Sequence, residues 1–384
     1  MPSSAAVDNG LLYSDVCNAC LNSEKSKSVD WPSRRILLND RINRIRSDKN
    51  YDVVIGVSGG KDSYFQTHFA INELNLKPLL VTYHGNNYLP EGQDNLERMR
   101  HIFDVDHIVF RPSERVLIKM NRIGFRLQGD MNWHAHCGIF TVPIQIAARF
   151  GISLVLWGEH GFTDLSGMFS LEDFNEFTYR DRVENALRGY DWDSFTDNGL
   201  ELLGREDLKE GLSEKDLKWG QYPSDLELRK SNTHGLYLGN YIPWSGNQNA
   251  ELVKKLYGWR EARDPFQRTY RKISNIDDMH ENGIHDYLKF IKFGYGRATD
   301  HASKDIREGL LTREEGIEMV NLYDAVRPTK DLDRWLSYVN MTEHEFDAIA
   351  DSFRSPKVWW KENGFWSKYC IDGIARRFER VAGK

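Results

Sequence analysis

The chain has 384 residues, with 51 Lys and Arg against 57 Asp and Glu, and a net charge of −6. A hydrophobic share of 40% with 28% charged residues belongs to a folded globular protein and excludes a disordered one. No apolar run reaches the roughly 18–20 residues of a membrane span, 4 Cys are too few for a disulfide framework, and net acidity argues against nucleic acid as a partner.

The opening residues, Met1-Pro2-Ser3-Ser4-Ala5-Ala6, lack the basic and apolar regions of a secretory signal, so the expectation is a cytoplasmic protein. A first segment, 1–48, carries Cys17-Asn18-Ala19-Cys20 and a helix from Pro32 to Ser47, with Ile36, Leu37, Leu38, Ile42 and Ile45 at roughly helical spacing. Tyr51 to Val57 is a short β-branched run that reads as a buried parallel strand. It leads into Ser58-Gly59-Gly60-Lys61-Asp62-Ser63, and a helix follows over Tyr64 to Leu74. Strands are predicted at Pro78–Tyr83, His107–Phe110 and Ser153–Glu159, with helices at Asp94–Phe103 and Ile139–Phe150. This alternation predicts an α/β fold built on a parallel sheet covered on both faces. Residues 165–232 are polar and acidic and read as a helical insertion; Gly235–Ile242 is expected to return as a fifth strand. The domain expectation is therefore 1–48, 49–245 with the insertion, and a helical region over 246–384.

A strand that ends in Ser-Gly-Gly and opens a helix makes an anion site. Glycine lets the backbone turn and a phosphate come close, and the first amides of the helix have no partner within it. Ser58, Gly59, Gly60, Lys61, Asp62 and Ser63 are thus candidate phosphate-binding residues, with Asp62 a candidate Mg²⁺ ligand. The loop is not a Walker A motif, because Asp62 follows Lys61 and Ile55 stands where that motif has its first Gly. It resembles the PP-loop of the ATP pyrophosphatases, the adenine nucleotide alpha hydrolase-like superfamily.

Further motifs narrow the resemblance. Cys17-Asn18-Ala19-Cys20, His134-Ala135-His136-Cys137-Gly138, Trp157-Gly158-Glu159, Tyr179-Arg180-Asp181-Arg182, Tyr295-Gly296-Arg297-Ala298-Thr299-Asp300-His301-Ala302-Ser303-Lys304 and Trp359-Trp360 together resemble the N-acetyl sugar amidotransferases of bacterial surface-polysaccharide synthesis. The resemblance spans roughly residues 15–370. It implies that the acetamido group of a nucleotide-linked sugar becomes an acetamidino group, using ATP, Mg²⁺ and ammonia from a separate glutaminase subunit. The chain shows no glutaminase domain, and Met1-Pro2 offers no N-terminal Cys nucleophile.

Three groups of residues outside the loop are candidates. Glu159 ends the fourth strand, where ligands lie in such sheets, as a second Mg²⁺ ligand or a strand-end cap. His134 and His136 flank the helix before that strand, and His136 is the candidate proton acceptor. Arg297, His301, Lys304 and Arg307 lie on one predicted helix and are candidate ligands for the anionic part of the sugar nucleotide; the alternative is a solvated face with its own salt bridges. His280, Glu281, Asn282, His285 and Asp286 form another polar cluster upstream. Asn86-Asn87 follow the second strand, where Asn87 is placed to meet the adenine ribose. Cys17 and Cys20 are half of a zinc site, which needs further ligands. Two other readings stay open: a PP-loop enzyme acting on tRNA, which calls for a basic groove, and an ATP-binding subunit without activity.

Overall fold

The computed structural model describes residues 5–6, 15–46, 50–85, 87–159, 168–273 and 280–382. Met1-Pro2, Ser47, Asn86 and residues 165–167 of the insertion lie outside this set, as does the side chain of Glu281. Among the described residues the chain runs α1 (Asn18–Ser26), α2 (Trp31–Ile45), β1 (Val53–Gly56), α3 (Lys61–His68), β2 (Pro78–Tyr83), α4 (Pro90–Phe103), β3 (His107–Phe110), α5 (Glu114–Gln128), α6 (Trp133–Phe150) and β4 (Leu154–Trp157). The insertion holds short helices α7 (Tyr179–Asp181), α8 (Asp197–Leu202), α9 (Glu214–Leu217) and α10 (Asp225–Ser231), and β5 (His234–Tyr237) and α11 (Gly246–Tyr257) follow. The C-terminal region is α12 (Glu281–Phe293), α13 (Arg297–Arg307), α14 (Arg313–Tyr323), α15 (Thr329–Val339) and α16 (Glu343–Ser352), then β6 (Trp360–Glu362), β7 (Phe365–Tyr369) and β8 (Ala375–Arg380).

The five strands β1–β5 form one parallel sheet in the order β3-β2-β1-β4-β5. Alternation along β1 explains its β-branched run. Val53 and Ile55 face a core with Leu38 and Ile42 of α2, Tyr64 of α3, Met99 of α4 and Val253 of α11. Val54, on the other face, packs with Leu79, Val81 and Val155 against Val142, Ile144 and Ala147 of α6. All three β1 side chains are fully buried, each contributing about 1.5–3 kcal/mol of apolar burial. From β1 the chain goes out to β2 and β3, then crosses back to place β4 and β5 on the other side. The crevice at the carboxyl ends of β1 and β4 is therefore the topological switch point, where open α/β sheets bind ligands.

Two parts depart from the sequence expectation. Helix α5 lies where no element was assigned. Its Val116, Leu117, Met120 and Ile123 pack against the insertion, while Phe125 packs with Tyr287, Trp335 and Phe346 of the C-terminal helices. Val116, Leu117, Met120, Ile123 and Gly124 stand at the i, i+3, i+4 and i+7 spacing of an amphipathic helix, so the sequence carries the signal for α5. The region after residue 246 is helical only as far as α16. Antiparallel strands β6, β7 and β8 close it, and β6 and β7 are joined by Asn363-Gly364 with φ of 50° and 79°, the backbone that an Asn-Gly hairpin turn requires.

The segment before α7 is tied to the sheet by Glu176, which accepts the Tyr237 amide at 2.9 Å, pairs with Arg41 at 3.1 Å and accepts the Tyr241 hydroxyl. Burial pushes its carboxyl up to about 7, against the pull of these donors. A carboxyl raised on folding contributes stability that is full below its unfolded value of about 4.3 and is lost as pH rises through about 7. Glu176→Gln is expected to flatten the fall in melting temperature between about pH 5 and pH 8 relative to the parent; parallel pH profiles for the two proteins would contradict this.

Candidate functional site

The Ser58–Ser63 loop leaves β1 directly into α3. Gly59 has φ of +88°, and a side chain there would place Cβ 2.7 Å from the Leu96 amide nitrogen. Its carbonyl accepts the Trp259 indole N–H at 3.0 Å. The Ser58 amide donates to Ser63 Oγ at 2.9 Å, and the Gly60 amide to Ser58 Oγ at 3.3 Å. The turn is thus held by its own hydroxyls, and α3 starts at Lys61 with Gly60 as its cap. Gly59→Ala is expected to cost about 1–2 kcal/mol for the left-handed backbone plus about 1–3 kcal/mol of overpacking. The measurement is denaturant unfolding, and a variant as stable as the parent would show that the turn relaxes freely.

Lys61 is buried, and its Nζ lies 2.8 Å from Asp62 Oδ2. Asp62 Oδ1 lies 3.5 Å from Asn249 Nδ2 on α11. The start of α11 packs on the Lys61 stem, since a Cβ on Gly246 would stand 3.2 Å from Lys61 Cε. Two helix N-termini, those of α3 and α11, therefore converge on Lys61 and Asp62, and each favours an anion.

Glu159 follows β4, on the other side of the switch point, and its Oε1 is 2.8 Å from Lys304 Nζ of α13. Glu159, Lys304 and Arg307 line one cavity of about 500 Å³ together with Trp244, Ser245, Asn247 and Gln248 at the start of α11 and Ala19 and Asn22 of α1. The sequence candidates Glu159, Lys304 and Arg307 thus meet beside the helix that packs on Lys61. Asp62 and Glu159 stand at the ends of neighbouring strands, and both are hard oxygen donors of the kind that hold Mg²⁺ together with phosphate oxygens. Each carries a lysine ammonium in this state, which a metal–phosphate ligand would have to share or displace.

The other members of the 297–307 cluster face inward. Arg297 donates to both oxygens of Asp286 at 2.8–3.2 Å and lies 3.5 Å from Asp300, which also binds Lys289 at 2.5 Å. His301 is buried, bonded to Thr269 Oγ1 at 2.6 Å, and burial holds its imidazole well below the usual value, hence neutral. Helix α13 is thus anchored to α12 by Arg297 and presents Lys304 and Arg307 to the cavity.

Asn87, at φ of +54°, accepts the His280 amide at 3.0 Å and meets Arg334 at 3.4 Å, which joins the end of β2 to the C-terminal region. His136, in α6, lies 3.5 Å from the buried Asp130, with the His285 ring centroid 5.7 Å from its own. His134 bonds the Tyr83 hydroxyl at 3.0 Å, and burial pulls its pKa down to about 3. Gly138 lets the Tyr83 ring approach, since a Cβ there would fall 2.1 Å from it. Cys17 is buried and Cys20 half-buried, and a hydrogen bond from Cys20 holds the Cys17 thiol low, at about 4. Among the described residues no third His, Cys, Asp or Glu ligand joins the two thiols, and the one cluster of such ligands is Asp130, His136 and His285. Asp130 has no motif around it in the sequence, and His285 stands there only as part of a polar run. Trp259 and Asn249, which brace the loop, carried no local signal either.

Residues 266–371 match the family described as LPS biosynthesis protein WbpG-like, C-terminal domain. Comparison with curated proteins gives no match. Among solved structures, the NH3-dependent NAD synthetase from Campylobacter jejuni is 14% identical at a TM-score of 0.28, covering 51% of this chain and 99% of that one. The NMN synthetase from Francisella tularensis is 14% identical at 0.25, covering 62% and 99%, and the U34-tRNA thiolase NcsA from Methanococcus maripaludis is 12% identical at 0.29, covering 88% and 93%. No helix among the described residues is long and apolar enough to cross a membrane. A Ser-Gly-Gly-Lys-Asp-Ser loop thus stands at the switch point of a parallel sheet, and residues 266–371, which are similar to the WbpG-like C-terminal domain of lipopolysaccharide biosynthesis, reach over the carboxyl end of β4 through Lys304.

Proposed function

We propose that the chain is an ATP-dependent amidotransferase of lipopolysaccharide or related surface-polysaccharide synthesis, which turns the acetamido group of a nucleotide-linked sugar into an acetamidino group. One observation carries the reading: the Lys304–Glu159 pair joins the family-specific helix α13 to the switch-point crevice, in a cavity beside the phosphate loop.

An amide oxygen is a poor leaving group, and AMP is a good one. The acetamido oxygen attacks the α-phosphorus of ATP and pyrophosphate leaves. Ammonia adds to the resulting imidate carbon, AMP departs with the former amide oxygen, and an amidine remains. The amides and hydroxyls of 58–63 hold the phosphates, and Lys61 neutralises charge on them. Asp62 and Glu159 are the residues that would hold Mg²⁺, which supplies further charge neutralisation at the phosphates. Lys304 and Arg307 orient the anionic part of the sugar nucleotide, Asn87 lies on the nucleoside side, and His136 accepts the proton released as nitrogen adds. Most of the catalysis is positioning and preorganised charge. The ammonia is supplied by a separate glutaminase subunit.

The test is incubation with ATP, Mg²⁺, ammonium and a panel of acetamido sugar nucleotides, followed by mass spectrometry. The product is expected to be lighter by the difference between O and NH, with AMP and pyrophosphate formed in equal amounts. Glutamine alone should not replace ammonium. Formation of ADP, or turnover of tRNA in place of the sugar, would overturn the reading.

A further inference from the structure

Asp130, His136 and His285 come from three places, the turn after α5, the helix α6 and the helix α12. Asp130 is 1% exposed. Its Oδ2 lies 3.5 Å from His136 Nδ1 and its Oδ1 lies 3.8 Å from His285 Nε2, and one ligand atom from each residue falls within 4.8 Å of the other two. These separations are too long for good hydrogen bonds. Each is near the spacing of two ligands on one tetrahedral ion, about 3.4 Å for bonds of about 2.0–2.1 Å, although the two nitrogens approach different oxygens of Asp130.

One buried ligand atom of the group, His136 Nδ1, lacks any hydrogen bond. A bare imidazole nitrogen beside a buried carboxylate is the feature that a structural dyad would not leave. The surroundings also match a metal's outer shell. Asp130 Oδ1 accepts the Asn132 amide at 3.0 Å, which fixes the carboxylate, and His285 turns its other nitrogen, Nδ1, toward Asp286 Oδ1 at 3.9 Å. A ligating His commonly has a carboxylate behind it. Two cations flank the group. Arg188 Nη1 approaches Asp130 Oδ2 at 3.6 Å from a side chain that is 37% exposed, and the Lys292 ammonium is held by the Gly129 carbonyl at 2.9 Å. Among the described residues neither makes a hydrogen bond to Asp130.

We propose that Asp130, His136 and His285 are a three-ligand site for a zinc-type divalent cation, bound through one Asp130 oxygen, His136 Nδ1 and His285 Nε2. Two imidazoles and one carboxylate select zinc, cobalt or iron(II) over magnesium, and three protein ligands leave a fourth position open. With metal bound, His136 Nδ1 would be a ligand and could not also accept the proton released in the reaction proposed above.

The test needs no turnover. A Cys17→Ser/Cys20→Ser form of the full chain is stripped with a chelator and titrated with Zn²⁺ and with Co²⁺. One tightly held equivalent is expected, with a rise in melting temperature and a cobalt spectrum free of thiolate charge transfer. His285→Ala and, separately, His136→Gln in that background are expected to weaken zinc binding by at least about tenfold to a hundredfold. Circular dichroism of the metal-free forms shows which variant has kept the fold. Absence of bound metal in the parent background, unchanged zinc affinity in a folded variant, or a thiolate band would each overturn the site. None of these outcomes depends on whether the sugar reaction occurs.

Discussion

Lys61→Ala is expected to reduce ATP-dependent pyrophosphate release by about 10²–10³-fold or more, the scale of losing one preorganised charge at a reacting group. The side chain is almost fully buried between the starts of α3 and α11, so its ammonium is aimed before any ligand arrives. Its ion pair with Asp62 joins sequence neighbours on a half-buried turn, and losing that contact costs about 1–2 kcal/mol. The variant is therefore expected to fold and melt close to the parent. Rapid-quench measurement of pyrophosphate, beside a thermal melt, separates the two effects. A folded Lys61→Ala protein that releases pyrophosphate at the parent rate would remove Lys61 from the chemistry.

Arg297→Ala is expected to have the largest effect on stability. Asp286 is fully buried and Asp300 nearly so, and Arg297 lies against both. Removing one partner of a buried ion pair leaves an uncompensated charge and costs about 3–5 kcal/mol. Lys289 still neutralises Asp300, so the penalty falls mainly on Asp286. Arg307→Ala makes the contrast. Arg307 is half-buried at the cavity wall and bonds Ser303 within its own helix at 2.7 Å. Its loss is expected to leave the melt nearly unchanged and to raise KM for the sugar nucleotide more than it lowers kcat. Equal unfolding free energies for Arg297→Ala and the parent would show that Arg297 is not an anchor.

The contrast between Arg297 and Arg307 shows where sequence legibility ends. The helix itself was readable, since 297–307 carries i,i+3 and i,i+4 charge spacing. Which of its charges would face protein was not, because Asp286–Arg297 and Lys289–Asp300 pair across two helices and no spacing rule within one helix reveals that. The sheet was legible for a plain reason. Strands buried on both faces must be continuous apolar runs, and Val53-Val54-Ile55 and Pro78–Tyr83 are such runs. The loop was legible because Gly59 and Gly60 stand between a strand and a helix. Helix α5 had a readable signal too, in the helical spacing of Val116, Leu117, Met120 and Ile123. The β6–β7 hairpin had a readable signal in Asn363-Gly364 that the helical pattern before it obscured. Asp130 and His285 are 155 residues apart in number and meet only through the packing of α5 on α12.

The most direct test of the account follows the acetamido oxygen. A sugar nucleotide labelled with ¹⁸O in its acetamido carbonyl is incubated with ATP, Mg²⁺ and ammonium. The account predicts that the label appears in AMP as the amidine forms, because the amide oxygen takes the adenylyl group and leaves with it. Label found in inorganic phosphate, or amidine formed while AMP stays unlabelled, would contradict it.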